Sequence, residues 1–214
     1  MALNPFRYPQ AQHVRTQDPP AYSDYTRYKP ILKTEFSERC VYCRVSSRLR
    51  SDDSFGVDHY KPKSLFPSLA TTYSNLYFAC NTCNRRKSDY WPTRGELKKG
   101  RYYPNPCDHV MTAHLRTRDA RVEVRSEAGR LAEEHLMLND AETVRYREQI
   151  LVLVRDASGK RASAADTKAL LIRKLARTPS LSAAERADIE DAIERSEDDI
   201  REATESLRYL GALD

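Results

Sequence analysis

Residues 55–87 decide how this chain folds, and they read FGVDHYKPKSLFPSLATTYSNLYFACNTCNRRK. A Cys-x-x-Cys pair, Cys80 and Cys83, lies near the end of this stretch, and a matching pair, Cys40 and Cys43, lies just upstream of it. The 36 residues between the two pairs include most of the stretch. A single metal ion bound by both pairs would therefore fasten the two ends of the segment together.

The four paired cysteines predict a structural zinc ion. Zinc takes four ligands in a tetrahedron, and two thiolates two residues apart can bind one ion from a tight turn. Reduced core cysteines or redox pairs are the alternative, but neither needs two matching pairs. The fifth cysteine, Cys107, is left over, and we expect a buried free thiol there.

Composition sets limits on where the protein works. Hydrophobic residues make up 40% of the chain, and no apolar run reaches the roughly 18 residues that cross a membrane. The first residues, 1–7, lack the charged and then apolar layout of a secretory signal. We therefore expect a cytoplasmic protein with no membrane span, in which cysteines bind metal rather than form disulfides.

Charge is divided unevenly along the chain. Residues 1–107 hold 18 Lys and Arg against 9 Asp and Glu, whereas residues 108–214 hold 18 against 22. The basic half contains both cysteine pairs, as expected if that half meets a polyanion such as nucleic acid. Because many soluble proteins have a basic surface, the charge supports this interpretation only together with the motif.

The pattern of prolines and apolar residues gives a coarse secondary structure for the first half. Residues 1–27 are rich in proline, arginine and tyrosine, which predicts an extended arm that either lies on nucleic acid or packs along its own domain. A short helix is predicted from Tyr28 to Arg39, a polar loop over 44–54, and a strand over Phe55–Tyr60. Residues 80–88 are predicted to form a tight Cys-x-x-Cys turn, or knuckle, that continues into a short helix.

The second half is predicted to be mainly helical. A hairpin is expected near residues 119–132, and Asn139 or Asp140 can cap a helix that runs to about Val154. Another helix is expected from Ala164 to Ala176. A capping box at Ser182 and Glu185 predicts a last, strongly acidic helix to about Leu210.

Polar residues within the stretch suit phosphodiester hydrolysis, which needs an activated water and a cation to stabilise charge on the phosphate. Asp58 and His59 are neighbours on a predicted strand, where side chains alternate between faces, but a twisted hairpin can bring both to one edge. Asn75 is a neutral amide that can fix a loop, and Asn84 follows the last cysteine at the start of a helix. An Asp-His dipeptide alone is weak evidence, since most such pairs are ordinary surface residues.

The ordered set CxxC, DH, N and CxxCN over roughly residues 40–87 resembles the HNH endonuclease family. That family shares a ββα-metal fold, in which a hairpin and a helix hold one divalent ion. The resemblance implies that His59 is the general base, that Asp58 and Asn84 bind a catalytic Mg²⁺ or Mn²⁺, and that Asn75 braces the loop and orients His59. Asn84 stands where the family often has a histidine, and its amide oxygen suits hard Mg²⁺ better than imidazole does.

Basic residues beside these positions are candidate nucleic-acid contacts. Arg85, Arg86 and Lys87 follow Asn84 at the start of the helix, where they can bind phosphate near the scissile bond or form a solvated basic turn. The same two interpretations apply to Lys61 and Lys63. A second Asp-His pair, Asp108 and His109, has no bracketing cysteines, so a packing or capping role is expected rather than a second metal site.

Together these features predict an α+β protein whose small ββα-metal core is held together by a structural zinc ion. The predicted organisation is an arm (1–27), an HNH nuclease module (28–107) and a mainly helical extension with an acidic last helix (108–214). We expect a metal-dependent endonuclease that nicks or cuts DNA. An RNase with the same site and a non-catalytic zinc module that binds nucleic acid are the alternatives.

The resemblance also extends to biological context. Stand-alone bacterial HNH proteins of this layout often serve in phage defence beside a partner ATPase or sensor subunit, which by analogy predicts an antiviral effector with a protein partner. The acidic last helix suits docking of such a partner or simply shields the domain, and the sequence leaves both open.

Overall fold

The strand between the two cysteine pairs forms one half of a small antiparallel hairpin. The computed structural model describes residues 3–213, so the parts of the arm and extension predictions that fall on Met1, Ala2 and Asp214 lie outside it. The first strand, β1, pairs antiparallel with β2 from Phe55 opposite Cys80 to His59 opposite Leu76. The helices and strands, in chain order, are α1 (Lys29–Glu35), β1 (Phe55–His59), β2 (Leu76–Cys80), α2 (Asn81–Lys87), α3 (Arg94–Lys98), β3 (Leu115–Arg118), β4 (Arg121–Val124), α4 (Glu127–Leu136), α5 (Ala141–Arg177) and α6 (Ala183–Tyr209).

Several predictions for the first half are confirmed. Strand β1 covers Phe55–His59, close to the predicted Phe55–Tyr60. Helix α2 follows Cys80 directly, as predicted for residues 80–88. The helix predicted from Tyr28 is shorter than expected, because α1 ends at Glu35 and the chain then takes positive φ angles at Ser37 and Glu38. Helix and small antiparallel sheets together make the protein α+β.

Aromatic side chains build the core around the hairpin. All five residues of β2 are buried, and Phe55 stacks on Phe78 across the two strands with ring centroids 5.0 Å apart. Phe36 stacks on Tyr77 at 5.5 Å, which joins the end of α1 to β2. Because the hairpin is short, this burial of large rings supplies apolar contact that two strands alone would lack.

The N-terminal arm packs along its own domain. Its described residues up to Asp24 form no helix or strand, and the Tyr8 hydroxyl donates to the carbonyl of Tyr42 at 2.7 Å. The Arg15 guanidinium donates to the carbonyl of Leu76 at 2.8 Å and lies 4.7 Å from the ring centroid of Tyr73. Of the two interpretations of the arm, this structure shows the packed one.

Glu35 anchors the arm to α1. Its buried carboxylate accepts hydrogen bonds from the backbone N–H groups of Thr16 and Gln17, both at 3.0 Å, and from the Tyr73 hydroxyl at 3.0 Å, and it lies 2.7 Å from His13 Nε2. Burial alone would raise the pKa of Glu35, but these hydrogen bonds outweigh it and hold the pKa below the usual 4.5.

Replacing Glu35 by glutamine is expected to destabilise the protein by about 1.5–3 kcal/mol, because backbone donors lose a charged acceptor. A carboxylate whose folded pKa is depressed stabilises the fold above its unfolded pKa and loses that effect as pH falls through the folded value. The difference between wild type and variant should therefore be full at pH 7 and shrink below about pH 4.5. Urea unfolding across this pH range measures it.

Glu148→Gln is the matched control, since Glu148 is exposed on α5. It should change stability by less than about 0.5 kcal/mol at every pH. In the Glu35→Gln variant, trypsin should also cut faster after Arg15 as the arm detaches. Equal stability of the two variants at pH 7 would contradict the anchoring role.

The predicted break in the C-terminal helices is absent. Helix α5 runs without interruption from Ala141 to Arg177, so the prediction of two separate helices ending near Val154 and starting at Ala164 was wrong. Gly159 lies inside this helix without interrupting it, because one exposed helical glycine costs only about 1 kcal/mol. The last helix, α6, begins after the Ser182 capping box as predicted.

The predicted hairpin lies earlier than expected. Strands β3 and β4 pair from Leu115 opposite Val124 to Arg118 opposite Arg121. The Ala128-Gly129 pair, which lies inside the predicted hairpin range of 119–132, belongs to α4 instead. A Cβ on Gly129 would come within 2.0 Å of the His114 carbonyl oxygen, so glycine is needed here for close packing of the helix rather than for a turn.

The chain divides into two compact units. One comprises Pro5–Glu148, and the other contains the described residues from Gln149 onward together with Leu3 and Asn4. The first unit extends beyond the predicted module, because Leu115, Val122, Leu131 and Leu136 belong to the same buried cluster as the hairpin. Among the described residues, no helix is long and apolar enough to cross a bilayer.

Candidate active site and metal centre

The four paired cysteines converge on one point. The sulfur atoms of Cys40, Cys43, Cys80 and Cys83 all lie within 4.8 Å of one another, and the sulfurs of Cys43 and Cys80 are 3.8 Å apart. A tetrahedral zinc with Zn–S bonds of about 2.3 Å requires sulfur separations of about 3.8 Å. The cluster therefore has the spacing and the chemistry of a structural zinc site.

Local backbone geometry shapes this cluster. Arg44 takes a positive φ of 63° directly after Cys43, and its N–H donates to the carbonyl of Cys40 at 3.1 Å, which closes the first knuckle. In the second knuckle the N–H of Cys83 donates to the sulfur of Cys80 at 3.4 Å, at the start of α2. Burial raises the pKa of the Cys40 thiol, so a bound cation is what would allow all four sulfurs to ionise together.

Asp58 lies on the inner face of β1, in contact with groups from two other elements. The residue is 2% exposed; its Oδ2 accepts a 2.5 Å hydrogen bond from the Tyr42 hydroxyl and its Oδ1 lies 3.2 Å from the Lys87 ammonium. Tyr42 stands between Cys40 and Cys43, so the carboxylate is joined to the first cysteine knuckle. The four-cysteine cluster and the Asp-His strand are thus directly connected.

His59 is held at the end of β1 with one ring nitrogen engaged. Its Nε2 lies 2.8 Å from the carbonyl oxygen of Ala70, which can only accept, so Nε2 carries the proton and Nδ1 is the basic nitrogen. The Tyr25 ring packs edge-on against the imidazole at 4.6 Å. Burial lowers the pKa of His59 below 6.5, which leaves the ring neutral at pH 7.

Asn75 fixes the long loop between β1 and β2. Its side-chain oxygen accepts from the N–H of Lys61 at 2.9 Å, and its amide nitrogen donates to the carbonyls of Lys61 at 3.1 Å and Leu69 at 3.3 Å. These contacts hold both ends of the segment that carries Ala70. Leu69 directly precedes Ala70, whose carbonyl oxygen lies against the His59 ring.

Asn84 lies on α2 beside the strand that carries Asp58. Its amide nitrogen donates to the carbonyl of Val57 at 3.3 Å, and this leaves the side-chain oxygen as the acceptor atom. Gly56 makes room for the helix at this point, since a Cβ there would lie 3.3 Å from the Asn81 side chain and 4.0 Å from that of Asn84.

The predicted phosphate-binding residues fall into two groups. Lys63 and Arg85 are exposed and Lys61 is half-buried, so these three remain candidates for phosphate contact. Arg86 donates to the carbonyl of Leu136 at 2.8 Å and pairs with Asp140 at 3.1 Å. Lys87 is 1% exposed, so the structure departs from the prediction that it contacts nucleic acid: α2 turns this side chain inward, where Asp58 neutralises it.

The second Asp-His pair has the packing role that was expected. Asn105 donates to Asp108 Oδ2 at 2.8 Å, and His109 stacks on Tyr102 with ring centroids 4.8 Å apart. In the part of the chain that the structure describes, the four paired cysteines are the one cluster of three or more metal-binding side chains, and neither residue belongs to it. Cys107 is free, as predicted, but half-buried rather than fully buried.

The segment that contains the cysteine pairs and the Asp-His strand is similar to a known protein family. Residues 40–90 match the HNH endonuclease family. The matched HNH segment contains both cysteine knuckles, the Asp58-His59 strand and helix α2, so the resemblance seen in the sequence is confirmed. Neither the curated proteins nor the solved structures include a significant match to this chain. The family match supports a nuclease-type function that acts on nucleic acid.

Sequence reasoning missed the contacts that three residues make with Asp58 and His59. Tyr42 and Lys87 bind Asp58, and Tyr25 covers His59. Tyr42 looked like a spacer between two cysteines, and Lys87 looked like one member of a basic run. Tyr25 belongs to the arm, 34 residues before His59, and nothing in the local sequence places it there.

Proposed function

We propose that this protein is a metal-dependent endonuclease that hydrolyses phosphodiester bonds in DNA through its HNH segment. The observation that carries the proposal is the geometry of His59: its Nε2 lies 2.8 Å from the carbonyl oxygen of Ala70, which leaves Nδ1 as the basic nitrogen. His59 lies at the end of a strand that is flanked in sequence by the two clustered cysteine pairs, in a segment that matches a nuclease family.

In this proposal His59 is the general base. Its Nδ1 accepts a proton from the attacking water, while the contact with Ala70 keeps the ring oriented during the transfer. Asn75 maintains that contact by fixing the loop, so it is a positioning residue. The exposed side chains of Lys63 and Arg85 would hold the phosphates on either side of the scissile bond.

Asp58 and Asn84 are the residues that would hold a catalytic divalent ion. They offer a carboxylate and an amide oxygen, the hard ligands that Mg²⁺ and Mn²⁺ prefer. Each carboxylate oxygen of Asp58 has two lone pairs, so the contacts with Tyr42 and Lys87 still leave acceptor positions. When bound, such an ion would stabilise negative charge on the phosphate and on the leaving oxygen.

A plasmid assay tests the proposal. Wild-type protein with Mg²⁺ or Mn²⁺ is expected to convert supercoiled DNA into nicked or linear forms, and EDTA should prevent this without removing the buried zinc during a short assay. A protein with one active site should yield nicks, whereas a symmetric pair of sites could cut both strands. Agarose gels follow the product, and a labelled RNA of the same sequence tests the RNase alternative.

Absence of cleavage on both DNA and RNA would overturn the proposal. The remaining alternative would then be a zinc module that binds nucleic acid without cutting it. Trp91 is the single tryptophan of the chain and lies 5.9 Å from the Lys61 ammonium, so its fluorescence reports on nucleic acid bound beside Lys61 in EDTA. Binding without cleavage favours the module; cleavage of RNA alone favours the RNase.

A role in phage defence with a partner ATPase or sensor is a further part of this proposal. It rests on the analogy of layout with stand-alone HNH proteins. The acidic surface of α6, with Glu190, Asp191 and Glu194 exposed, suits a basic partner surface. Loss of phage protection in cells that carry a His59→Ala variant, with protein levels unchanged, is the measurement that tests this role.

A further inference from the structure

Lys87 is a buried charge that the proposed reaction does not use. Its side chain is fully enclosed, and its ammonium lies 3.2 Å from Asp58 Oδ1 and 2.7 Å from the carbonyl oxygen of His59. The Tyr103 ring lies 5.9 Å away, with its face toward the ammonium. The ammonium therefore joins helix α2 to the end of β1, at the two residues on which the site depends.

A lysine is seldom buried this deeply without a partner. Removing an ammonium from water is costly, and attraction to a carboxylate with further hydrogen bonds is what offsets the cost. Here Asp58 supplies the carboxylate, and the Tyr42 hydroxyl occupies its other oxygen. In the absence of a divalent ion, Lys87 is thus the cation that neutralises Asp58.

We propose that Lys87 is a positioning residue that holds Asp58 in the metal-free protein and sets the affinity of Asp58 for a divalent cation. The inference rests on the proposed function, in which Asp58 is a ligand of that cation. Lys87 and the ion share one carboxylate, so each weakens the binding of the other. The wild-type site consequently binds the ion less tightly than the same ligands would without the lysine.

The size and the sign of this effect follow from electrostatics. An ammonium in contact with Asp58 repels a doubly charged ion on the same carboxylate at a separation of only a few ångströms, where even partly screened charges interact strongly. Removing the ammonium should therefore lower the dissociation constant for Mn²⁺ by about tenfold or more. An ordinary structural lysine would give no such gain, since its loss would only loosen the ligands.

The test is a Mn²⁺ titration of Lys87→Met, followed by the shift of the thermal unfolding midpoint without substrate. A ligand that binds only the folded state stabilises it by RT ln(1 + c/Kd), where c is the free ligand concentration, so the dependence of the midpoint on Mn²⁺ concentration yields the dissociation constant. We expect the variant to be less stable than wild type without Mn²⁺, yet to bind Mn²⁺ about tenfold or more tightly. Lys87→Arg, which keeps the charge, should bind Mn²⁺ within a few-fold of wild type.

Three controls make the result specific. Lys98→Met removes a charge from an exposed position and should bind Mn²⁺ as wild type does. The double variant Lys87→Met with Asp58→Asn should lose the added response, since no carboxylate remains to bind the ion. Zinc content, measured on each protein, excludes loss of the cysteine site as a cause.

Weaker or unchanged Mn²⁺ binding by Lys87→Met would overturn the inference. Lys87→Gln serves if the methionine variant does not fold, because its amide can still donate to the His59 carbonyl oxygen. The outcome is independent of the plasmid assay. Failure of wild-type protein to cleave would count against the proposed function, whereas an absent gain in Mn²⁺ affinity would count against the role of Lys87.

Discussion

Replacing His59 by alanine is expected to reduce cleavage of supercoiled plasmid by about 10²–10⁴-fold, the usual contribution of a positioned general base. The imidazole is held by Ala70 on one side and Tyr25 on another, so its removal takes away the basic nitrogen without taking away a strand contact. The rate of conversion to nicked plasmid in Mg²⁺ or Mn²⁺ measures the loss. Zinc content should stay at one ion per chain.

His109→Ala is the matched control for this loss. His109 also follows an aspartate, but it stacks on Tyr102 and lies outside the four-cysteine cluster. Its replacement should leave the cleavage rate within a few-fold of wild type at permissive temperature. If the His59 variant cuts as fast as wild type, or if both variants lose activity equally, the assignment of the general base to His59 fails.

Loss of the zinc site is expected to have the largest effect on stability. The structural zinc of small zinc domains contributes about 10–16 kcal/mol of apparent binding free energy. That is comparable with the whole unfolding free energy of a typical domain, about 5–15 kcal/mol. Replacing Cys83 by serine removes one of four buried ligands, so the unit formed by Pro5–Glu148 should lose zinc and its cooperative unfolding transition.

Cys107→Ser tests whether this effect belongs to the paired cysteines. Cys107 is half-buried and does not belong to the cluster, so its serine variant should keep one zinc per chain and a cooperative transition. Zinc analysis by mass spectrometry and thermal unfolding by circular dichroism measure both variants. Retention of a full zinc ion by Cys83→Ser with an unchanged midpoint would show that the site is not what holds this unit together.

The local part of the fold could be predicted from the sequence because short-range chemistry decides it. Two residues between cysteines produce a metal-binding turn, and the pattern over Phe55–Tyr60 predicted strand β1, which covers Phe55–His59. The Ser182 capping box marks the start of α6 correctly. Helix α5 shows the limit of such reasoning, because the apolar pattern predicted two helices, to about Val154 and from Ala164, where one continuous helix forms.

The basic run at residues 85–87 shows most clearly that sequence alone does not predict which side chains are exposed. Arg85, Arg86 and Lys87 are consecutive and look equivalent. Helix geometry turns them about 100° apart, so one is exposed, one pairs with Asp140 and one is buried against Asp58. Only the elements that pack on each face of α2 decide which lysine or arginine is free for phosphate.

The sequence by itself determined the two cysteine pairs, the Asp-His strand and the match of residues 40–90 to the HNH endonuclease family, because all three depend on residue type and spacing. The tertiary structure alone decided that Tyr42, Lys87 and Tyr25 surround Asp58 and His59, and that Glu35 holds the arm. These contacts join residues that lie 16 to 34 positions apart in the chain. Such contacts depend on how whole elements pack, which leaves no periodic or local pattern in the sequence.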